Sequence, residues 1–360
     1  MFENLPADID EFHHAILINL IIAIKVNNFT DNFDARRFNF DGVDHSLEFK
    51  AGQHAFYLNW YFENRHSIFR AFCQLRDELS KRLYLHLLLY RLAGHLSVRI
   101  PSAIGRTSQD KERLDSVQIP QDSSLAASGM FGPLKHYDFE LEGKRYVIDC
   151  TGLTDTLAYR QYFLNRGPIR VQPEPGDHVI DGGACLGDTA LVFSNAVGET
   201  GQVYSFDPVA DNITVLRFNL RQFPLQNITL FECGLSDKNI DAAPINIGSY
   251  APGFNTAKAE AANLAVPVRT IDDLVFGRRE IEHLDFIKLD IEGSEMDALR
   301  GGEKSIETYK PKMAISLYHK TNDFFEIINF VSDRFRFYDC YIDHYSIHQE
   351  ETVLYCSPRE

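Results

Sequence analysis

The chain has 360 residues, of which 44% are hydrophobic and 24% charged, and its formal net charge is −15. This composition is typical of a globular protein and excludes a disordered chain, and the length predicts two domains or one domain with a large extension. The negative charge argues against a nucleic-acid partner, because proteins that bind a phosphate backbone usually carry a basic face.

The sequence also argues against a membrane protein. The longest apolar run, residues 15–24, contains Asn19 and is half as long as the roughly 20 residues that a membrane-spanning helix needs. The six cysteines are scattered without CxxC or zinc-type spacing, and the first residues lack the basic start of a signal peptide. We therefore expect a cytoplasmic protein with reduced thiols and no membrane partner.

Residues 1–133 are predicted to form a largely helical region that serves substrate binding or dimerisation, and a homodimer is left open. Helical spacing of apolar residues predicts helices over 11–26 and 66–92. Residues 102–132 are rich in Ser, Asp, Gln and Gly, which predicts a linker or a lid over an active site.

Residues 134–360 are predicted to form the second domain. A hairpin over 139–148 that turns at Glu142-Gly143 and a helix over 155–164 precede a regular alternation of strands and helices. The last helices are predicted over 295–309 and 321–335, the second with Thr321 as its cap. Such alternation predicts a doubly wound parallel α/β sheet. Two alternating segments, 336–345 and 351–357, predict a closing antiparallel pair.

A glycine-rich turn at 182–187 lies between an apolar strand and the helix 189–197. Such a turn lets the backbone approach a ligand, and the helix start offers unpaired N–H groups to it. The dinucleotide pattern Gly-x-Gly-x-x-Gly is incomplete. If it starts at Gly182, its second glycine is replaced by Ala184, and if it starts at Gly183, by Cys185. The residues that we expect to contact a cofactor here are Asp181, Gly183, Ala184, Gly187, Asp188 and Thr189.

Polar side chains end the following strands as well. Asp207 follows strand 201–206 and is placed to accept ribose hydroxyls, and the Ser236-Asp237 turn after strand 228–233 is placed beside an adenine. A fourth strand ends in Asp290 and Glu292, and a fifth, 312–318, ends at His319. Ligands of open α/β sheets bind at these carboxyl ends of strands.

The motifs DGGACLGDT, SFDP, ECGLSD, TIDDL, FIKLDIEGSEMDALRG and KPKMAISLYHK together resemble the FkbM family of methyltransferases. The resemblance covers residues 177–358, and it departs from the family at Cys185, commonly Asn, and at Asp207, commonly Glu. It implies a class I methyltransferase fold, Rossmann-like, with a reversed C-terminal β-hairpin. It also implies S-adenosylmethionine as cofactor, bound by the residues named above and by Asp290, with Tyr159 and Tyr162 of the helix 155–164 as pocket residues near its methionine end.

The implied reaction is O-methylation of a hydroxyl on a small-molecule acceptor, typically a saccharide or natural product. His319 is the candidate general base, and Asp290 and Glu292 are the candidate catalytic carboxylates. Those two acids could also hold a divalent metal ion, although two carboxylates are fewer ligands than such an ion usually has. An NAD-dependent Rossmann oxidoreductase and a cofactor-binding protein without enzymatic activity remain the alternatives.

Overall fold

The structure is a computed structural model that describes residues 2, 4–32, 47–101, 108–125, 133–245 and 264–359. The chain divides into two compact units: residues 1–104, 320–354 and 359 form the first, and residues 105–319, 355–358 and 360 the second. This division differs from the predicted boundary at 133/134, because residues 320–354 group with the N-terminal helices. Independent folding of residues 134–360 stays a prediction.

The described elements are helices and strands of ordinary length. The helices are α1 (Ile9–Val26), α2 (Leu47–Gln74), α3 (Glu78–Ala93), α4 (Ser108–Val117), α5 (Asp188–Val197), α6 (Ala210–Leu220), α7 (Glu295–Gly301), α8 (Glu303–Tyr309) and α9 (Asp323–Arg334). The strands are β1 (Gln121–Asp122), β2 (Lys135–Leu141), β3 (Lys144–Cys150), β4 (Leu164–Arg166), β5 (Ile169–Val171), β6 (His178–Gly182), β7 (Gln202–Phe206), β8 (Ile228–Phe231), β9 (Gly234–Leu235), β10 (Ile240–Ile245), β11 (Leu264–Arg269), β12 (Phe286–Leu289), β13 (Lys312–Ser316), β14 (Tyr338–His344) and β15 (Thr352–Pro358).

A seven-stranded sheet has the order β14-β15-β13-β12-β6-β7-β8. The pairs β12–β13, β12–β6, β6–β7 and β7–β8 are all parallel. The last strand of the chain lies between β13 and β14, so the predicted C-terminal hairpin is present. The predicted doubly wound α/β sheet, preceded by a mostly helical N-terminal region, is confirmed.

The register of the sheet brings the predicted site residues to one edge. Asp181 in β6 lies opposite Lys288 in β12 and Ser205 in β7. Because these strands are parallel, the segments that follow Gly182, Phe206, Leu289 and β13 all leave the sheet at the same edge. The four side chains of β12 are buried, as expected for a central parallel strand.

The single helix predicted over 66–92 is in fact two helices. Residues 75–77 separate α2 from α3, because Asp77 adopts extended backbone angles and its side chain accepts a hydrogen bond from Ser80 N, which caps α3. The predicted end at Gly94 is confirmed, and its N–H donates to Tyr90 O. The apolar spacing is nearly continuous across the break, so periodicity alone could not reveal it.

Part of the predicted linker is folded. Residues 108–117 form α4, and its Leu114 is buried in a core cluster with Tyr137, Phe139 and Ile148 of the β2–β3 hairpin. The hairpin itself turns at Glu142-Gly143, as predicted. Residues 102–107 and 126–132 lie outside the described residues, so the prediction of a lid stays open.

Other predicted elements are shorter than expected. The helix predicted over 155–164 is a π-helical turn at Thr154–Ala158, and the helix predicted over 295–309 is divided into α7 and α8 at Gly302. The strand predicted over 228–233 ends at Phe231, and β9 joins β10 and β11 in a separate sheet. Asn322, not Thr321, precedes α9.

No described helix combines the length and the hydropathy that a membrane span requires.

Candidate functional site

The glycine turn follows β6 and leads into α5. Gly183 and Gly187 have φ angles of +78° and +97°, which only glycine adopts readily. The N–H groups of Gly183 and Ala184 donate to Phe206 O at 2.9 Å, so the turn is anchored to β7. The predicted turn residues therefore lie together at the carboxyl edge of the sheet.

Gly183 also brings the turn into direct contact with the segment after β12. A Cβ atom placed on Gly183 would lie 1.9 Å from the carbonyl oxygen of Asp290. In addition, Asp290 N donates to Gly182 O at 3.2 Å. The predicted cofactor turn and the predicted catalytic carboxylate are thus neighbours.

Asp181 lies beneath the turn and is fully buried. Its carboxylate accepts hydrogen bonds from Thr189 Oγ1 at 2.9 and 3.0 Å and lies 3.2 Å from Lys288 Nζ. These contacts indicate that Asp181 and Thr189 support the turn. Their side chains face the protein interior, so direct contact with a cofactor is not indicated for either.

Lys288 is a functional residue that the sequence reasoning missed. Its side chain is 1% exposed, and Nζ donates to Gly182 O at 2.9 Å and to Gly183 O at 2.8 Å. Burial acts to lower the pKa of Lys288, but the carboxylates of Asp181 and Asp290 outweigh it and raise the pKa above its usual value. The signal in the sequence was a single cation within the apolar strand FIKL.

Asp207 follows β7, as predicted, and its carboxylate is fixed by the backbone. It accepts hydrogen bonds from Cys185 N at 3.0 Å and Val209 N at 2.8 Å. Burial raises the pKa of Asp207 to about 6, although these hydrogen bonds oppose the rise. Cys185 has a φ of +49°, a conformation that Asn tolerates better than most residues, which explains physically why Asn suits this position.

Asp188 is the first residue of α5 and follows Gly187 directly. Burial raises the pKa of Asp188 to about 6, and the charge of Lys288 opposes the rise. A carboxylate with this pKa at a helix start beside the turn is suited to a cationic ligand group, because a nearby cation favours its charged form.

The Ser236-Asp237 turn follows β9, which pairs with β11 instead of joining the main sheet. The Ser236-Asp237 turn nevertheless lies near the glycine turn, because the side chain of the preceding Leu235 lies 3.2 Å from a Cβ placed on Gly182. Ser236 N donates to Arg269 O at 2.9 Å. The turn therefore borders the predicted cofactor site, although its contacts in the structure are with protein groups.

Asp290, Glu292 and His319 form one cluster. His319 Nε2 lies 3.3 Å from Asp290 Oδ1 and 3.3 Å from Glu292 Oε2, and Nδ1 lies 2.8 Å from Glu295 Oε1. The strand ends at Leu289, before Asp290 and Glu292, so strand alternation does not bring these two residues to one face. Instead, Glu292 has a φ of +56° within a turn that brings it to the imidazole.

Two tyrosines and Glu295 complete the surroundings of the cluster. Asp290 accepts hydrogen bonds from Tyr162 Oη at 2.6 Å and Tyr318 Oη at 3.0 Å. Tyr162 was expected in the pocket, and its φ of +71° shows a constrained backbone, whereas Tyr159 packs on the hairpin core. The sequence reasoning missed Tyr318 and Glu295, since nothing in their spacing shows which residue they face.

The surroundings of His319 change its expected role. Burial acts to lower the pKa of His319, but the carboxylates of Glu295, Asp290 and Glu292 outweigh it and raise the pKa to about 10. An imidazole that holds its proton at neutral pH cannot accept another. The predicted role of His319 as general base is therefore not supported by this arrangement of charges.

Residues 181–338 match the model of a protein family described as the methyltransferase FkbM domain. The structure is similar to the crystal structure of methyltransferase FkbM from Methylobacillus flagellatus KT, with a TM-score of 0.52 and 20% sequence identity. That match covers 82% of this chain and 60% of the other, so the chain spans about three fifths of the length of that protein. At this identity the similarity shows the fold, which agrees with the predicted class I methyltransferase architecture.

Two further structures resemble parts of the chain. A putative rRNA methylase from Clostridium thermocellum matches with a TM-score of 0.35 and 13% identity, covering 56% of this chain and 92% of that one. Aeropyrum pernix fibrillarin, in complex with natively bound S-adenosyl-L-methionine, matches with a TM-score of 0.35 and 10% identity. That match covers 67% of this chain and 99% of the fibrillarin chain. No curated protein matches the chain.

Proposed function

Because residues 181–338 match the model of the methyltransferase FkbM domain, we propose that the protein transfers a methyl group from S-adenosylmethionine to a hydroxyl of a small-molecule acceptor. The observation that carries the proposal is the contact between Gly183 of the turn and Asp290. Asp290 belongs to the cluster of Asp290, Glu292 and His319, which we call the acid–histidine cluster. This contact sets a cofactor turn and proton-accepting groups side by side, as methyl transfer to a hydroxyl requires.

The residues present fit S-adenosylmethionine. Gly183 and Gly187 let the turn pack directly against Asp290 O and the Leu216 side chain, which a Cβ at these positions would meet at 1.9 and 2.5 Å. Asp188 offers a carboxylate to the amino group of the cofactor, and Asp207 and the Ser236-Asp237 turn offer acceptors and donors to its adenosine part. When bound, S-adenosylmethionine supplies a methyl group on a positively charged sulfur, which is a strong methyl donor.

The acid–histidine cluster is the proposed acceptor side. The hydroxyl must lose its proton as its oxygen bonds to the methyl carbon and the carbon–sulfur bond breaks, which leaves a neutral thioether. We assign the removal of this proton to the carboxylates of Asp290 and Glu292, with Tyr162, Tyr318 and His319 holding Asp290 in place. The expected acceptor is a saccharide or natural-product hydroxyl, and the negative net charge disfavours a nucleic acid. A cytoplasmic location and a homodimer remain part of the proposal.

The test is methyl transfer to a panel of hydroxyl-bearing saccharides and small natural products, followed by release of S-adenosylhomocysteine. Asp290→Asn should lower turnover about 100-fold, because the cluster loses a charged acceptor. Cofactor affinity, measured by calorimetry, should change less than about threefold, since the cofactor contacts come from other side chains.

The control is Asp122→Asn, which changes a carboxylate that is 91% exposed and ion-paired with Lys135 at the surface. It should leave turnover unchanged. Retention of the cofactor without turnover on any acceptor would contradict the proposal and favour a binding protein without activity. Binding of NADH in place of S-adenosylmethionine, seen by its fluorescence, would favour an oxidoreductase.

Cofactor affinity should depend on pH through Asp188. Its carboxyl, with a pKa of about 6, is ionised at pH 7 and protonated at pH 5, so a cationic cofactor should bind about tenfold more weakly at pH 5. Calorimetric titrations at both pH values measure this ratio. In Asp188→Asn the cofactor affinity at pH 7 should fall, and the ratio of the affinities at pH 7 and pH 5 should shrink by about tenfold. An unchanged ratio would show that Asp188 does not contact the cofactor.

A further inference from the structure

The imidazole nitrogen and the carboxylate oxygens of the acid–histidine cluster have the spacing that is typical of the ligands of one metal ion. His319 Nε2 is 3.3 Å from both Asp290 Oδ1 and Glu292 Oε2. Metal–ligand bonds of about 2.1 Å place neighbouring ligand atoms about 3.0 Å apart in an octahedral site and about 3.4 Å apart in a tetrahedral one. The separations in the cluster fall within this interval.

The other nitrogen of the imidazole is held as in many metal sites. Nδ1 and Glu295 Oε1 are hydrogen-bonded at 2.8 Å, and the same oxygen accepts from Ile291 N at 2.8 Å. A carboxylate on one imidazole nitrogen orients the ring so that the other nitrogen faces the ion. The sequence places Glu295 at the start of α7, within a segment that also contains the turn carrying Glu292.

A second observation indicates that the cluster is incomplete as it stands. The side chain of His319 is 9% exposed, and its Nε2 atom is shared between the carboxylates of Asp290 and Glu292. Glu295 is fully buried, and its Oε2 atom meets no hydrogen-bond partner in the part of the chain that the structure describes. Buried polar atoms normally have partners, so this orphaned oxygen beside the imidazole points to a group that completes the cluster.

We propose that His319 Nε2, Asp290 and Glu292 bind one divalent first-row metal ion, which displaces the Nε2 proton into solvent, with Glu295 as a positioning residue for the imidazole. Asp290, Glu295 and His319 each bring a ligand-type atom within 4.8 Å of the others, and Glu292 joins them through its 3.3 Å contact. One imidazole among carboxylates suits Mn²⁺ or Zn²⁺ better than Mg²⁺, which prefers oxygen ligands alone.

The function of the ion rests on the proposed methyl transfer. Three protein ligands leave coordination positions free for an acceptor, and a vicinal pair of hydroxyls, as in a saccharide or catechol, fits two of them. An ion there would withdraw electron density from the hydroxyl, so the hydroxyl would lose its proton more readily to a carboxylate of the cluster. The site would therefore select acceptors with two neighbouring oxygens.

The test measures metal binding by the full chain, stripped with a chelator, without cofactor or acceptor. Mn²⁺ titrated in calorimetry and followed by electron paramagnetic resonance should bind at one ion per chain, and Zn²⁺ should compete for it. His319→Ala and Glu292→Gln should each weaken Mn²⁺ binding at least about tenfold, whereas Asp122→Asn should leave it unchanged. No Mn²⁺ or Zn²⁺ binding at millimolar concentration, or equal affinity in all variants, overturns the proposal.

The positioning role of Glu295 has its own readout. Glu295→Gln keeps the shape and one acceptor oxygen, so Mn²⁺ should still bind at one ion per chain with affinity reduced about 10- to 100-fold. His319→Ala serves as the comparison. It removes a nitrogen ligand and should therefore change the resonance spectrum, whereas Glu295→Gln should keep the spectrum of the unchanged protein. Identical spectra in the two variants would overturn this role.

Failure of this proposal differs from failure of the proposed function. Methyl transfer that persists in chelator, in a protein that binds no metal, removes the metal site and keeps the methyltransferase. Stoichiometric metal binding in a protein that transfers no methyl group to any acceptor keeps the site and removes the assigned reaction.

Discussion

Gly183→Ala should abolish cofactor binding and lower the free energy of unfolding by about 4 kcal/mol or more. The added Cβ would lie 1.9 Å from Asp290 O and 2.9 Å from Asp290 C, and these are backbone atoms that cannot rotate away. The φ of +78° adds the strain of a left-handed conformation for a residue with a side chain. Chemical denaturation and calorimetry with S-adenosylmethionine measure the two effects.

Gly143→Ala is the matched control, because Gly143 has a similar φ of +74° but a Cβ placed on it would have no described atom within 4 Å. It should cost only the conformational strain, about 1–2 kcal/mol, and leave cofactor affinity unchanged. The difference between the two variants isolates the contact between the turn and Asp290. Equal losses of stability, or a Gly183→Ala protein that binds cofactor normally, would show that this contact is unimportant.

The sequence was sufficient to predict the sheet and the edge at which the site lies. Alternating strands and helices indicate a parallel sheet, and in such a sheet the segments after each strand meet at one edge, which places Asp181, Asp207, Asp290 and His319 together. These inferences depend on local pattern and on general rules of topology. They do not require knowing how any two side chains pack.

The direction of each side chain could not be predicted from the same patterns. Asp181 and Thr189 face inward because Lys288 lies opposite Asp181 in the register of β6 and β12, and that register depends on the whole sheet. The role of His319 depends on Glu295, 24 residues earlier in the chain, whose carboxylate reaches Nδ1 only in the folded protein. Long-range pairs of this kind leave no periodic signal.

The errors in element boundaries have a common physical cause. Asp77 and Gly302 each divide an element whose apolar spacing continues beyond them. A cap or a turn is determined by one or two residues, whereas periodicity is averaged over a longer window. Periodicity therefore predicts the presence of an element better than its ends.

Lys288→Met should lower the free energy of unfolding by about 3–5 kcal/mol, because it leaves the buried Asp181 carboxylate without its cation. The substitution also removes the donor to Gly182 O and Gly183 O, at 2.9 and 2.8 Å, so the glycine turn should lose its fixed conformation and cofactor affinity should fall at least about tenfold. Thermal and chemical denaturation measure the first effect, and calorimetry with S-adenosylmethionine measures the second.

Two variants separate the buried charge from the loss of the turn's donors. Lys288→Met combined with Asp181→Asn removes both charges, so it should recover much of the lost stability, yet cofactor affinity should stay low because the carbonyl oxygens still lack their donor. Lys312→Met on neighbouring β13 breaks a surface ion pair with Glu174, 3.2 Å long, and should cost less than about 1 kcal/mol. A double variant as unstable as Lys288→Met would show that Asp181 is not the cause, and recovery of cofactor affinity in it would show that Lys288 does not hold the turn.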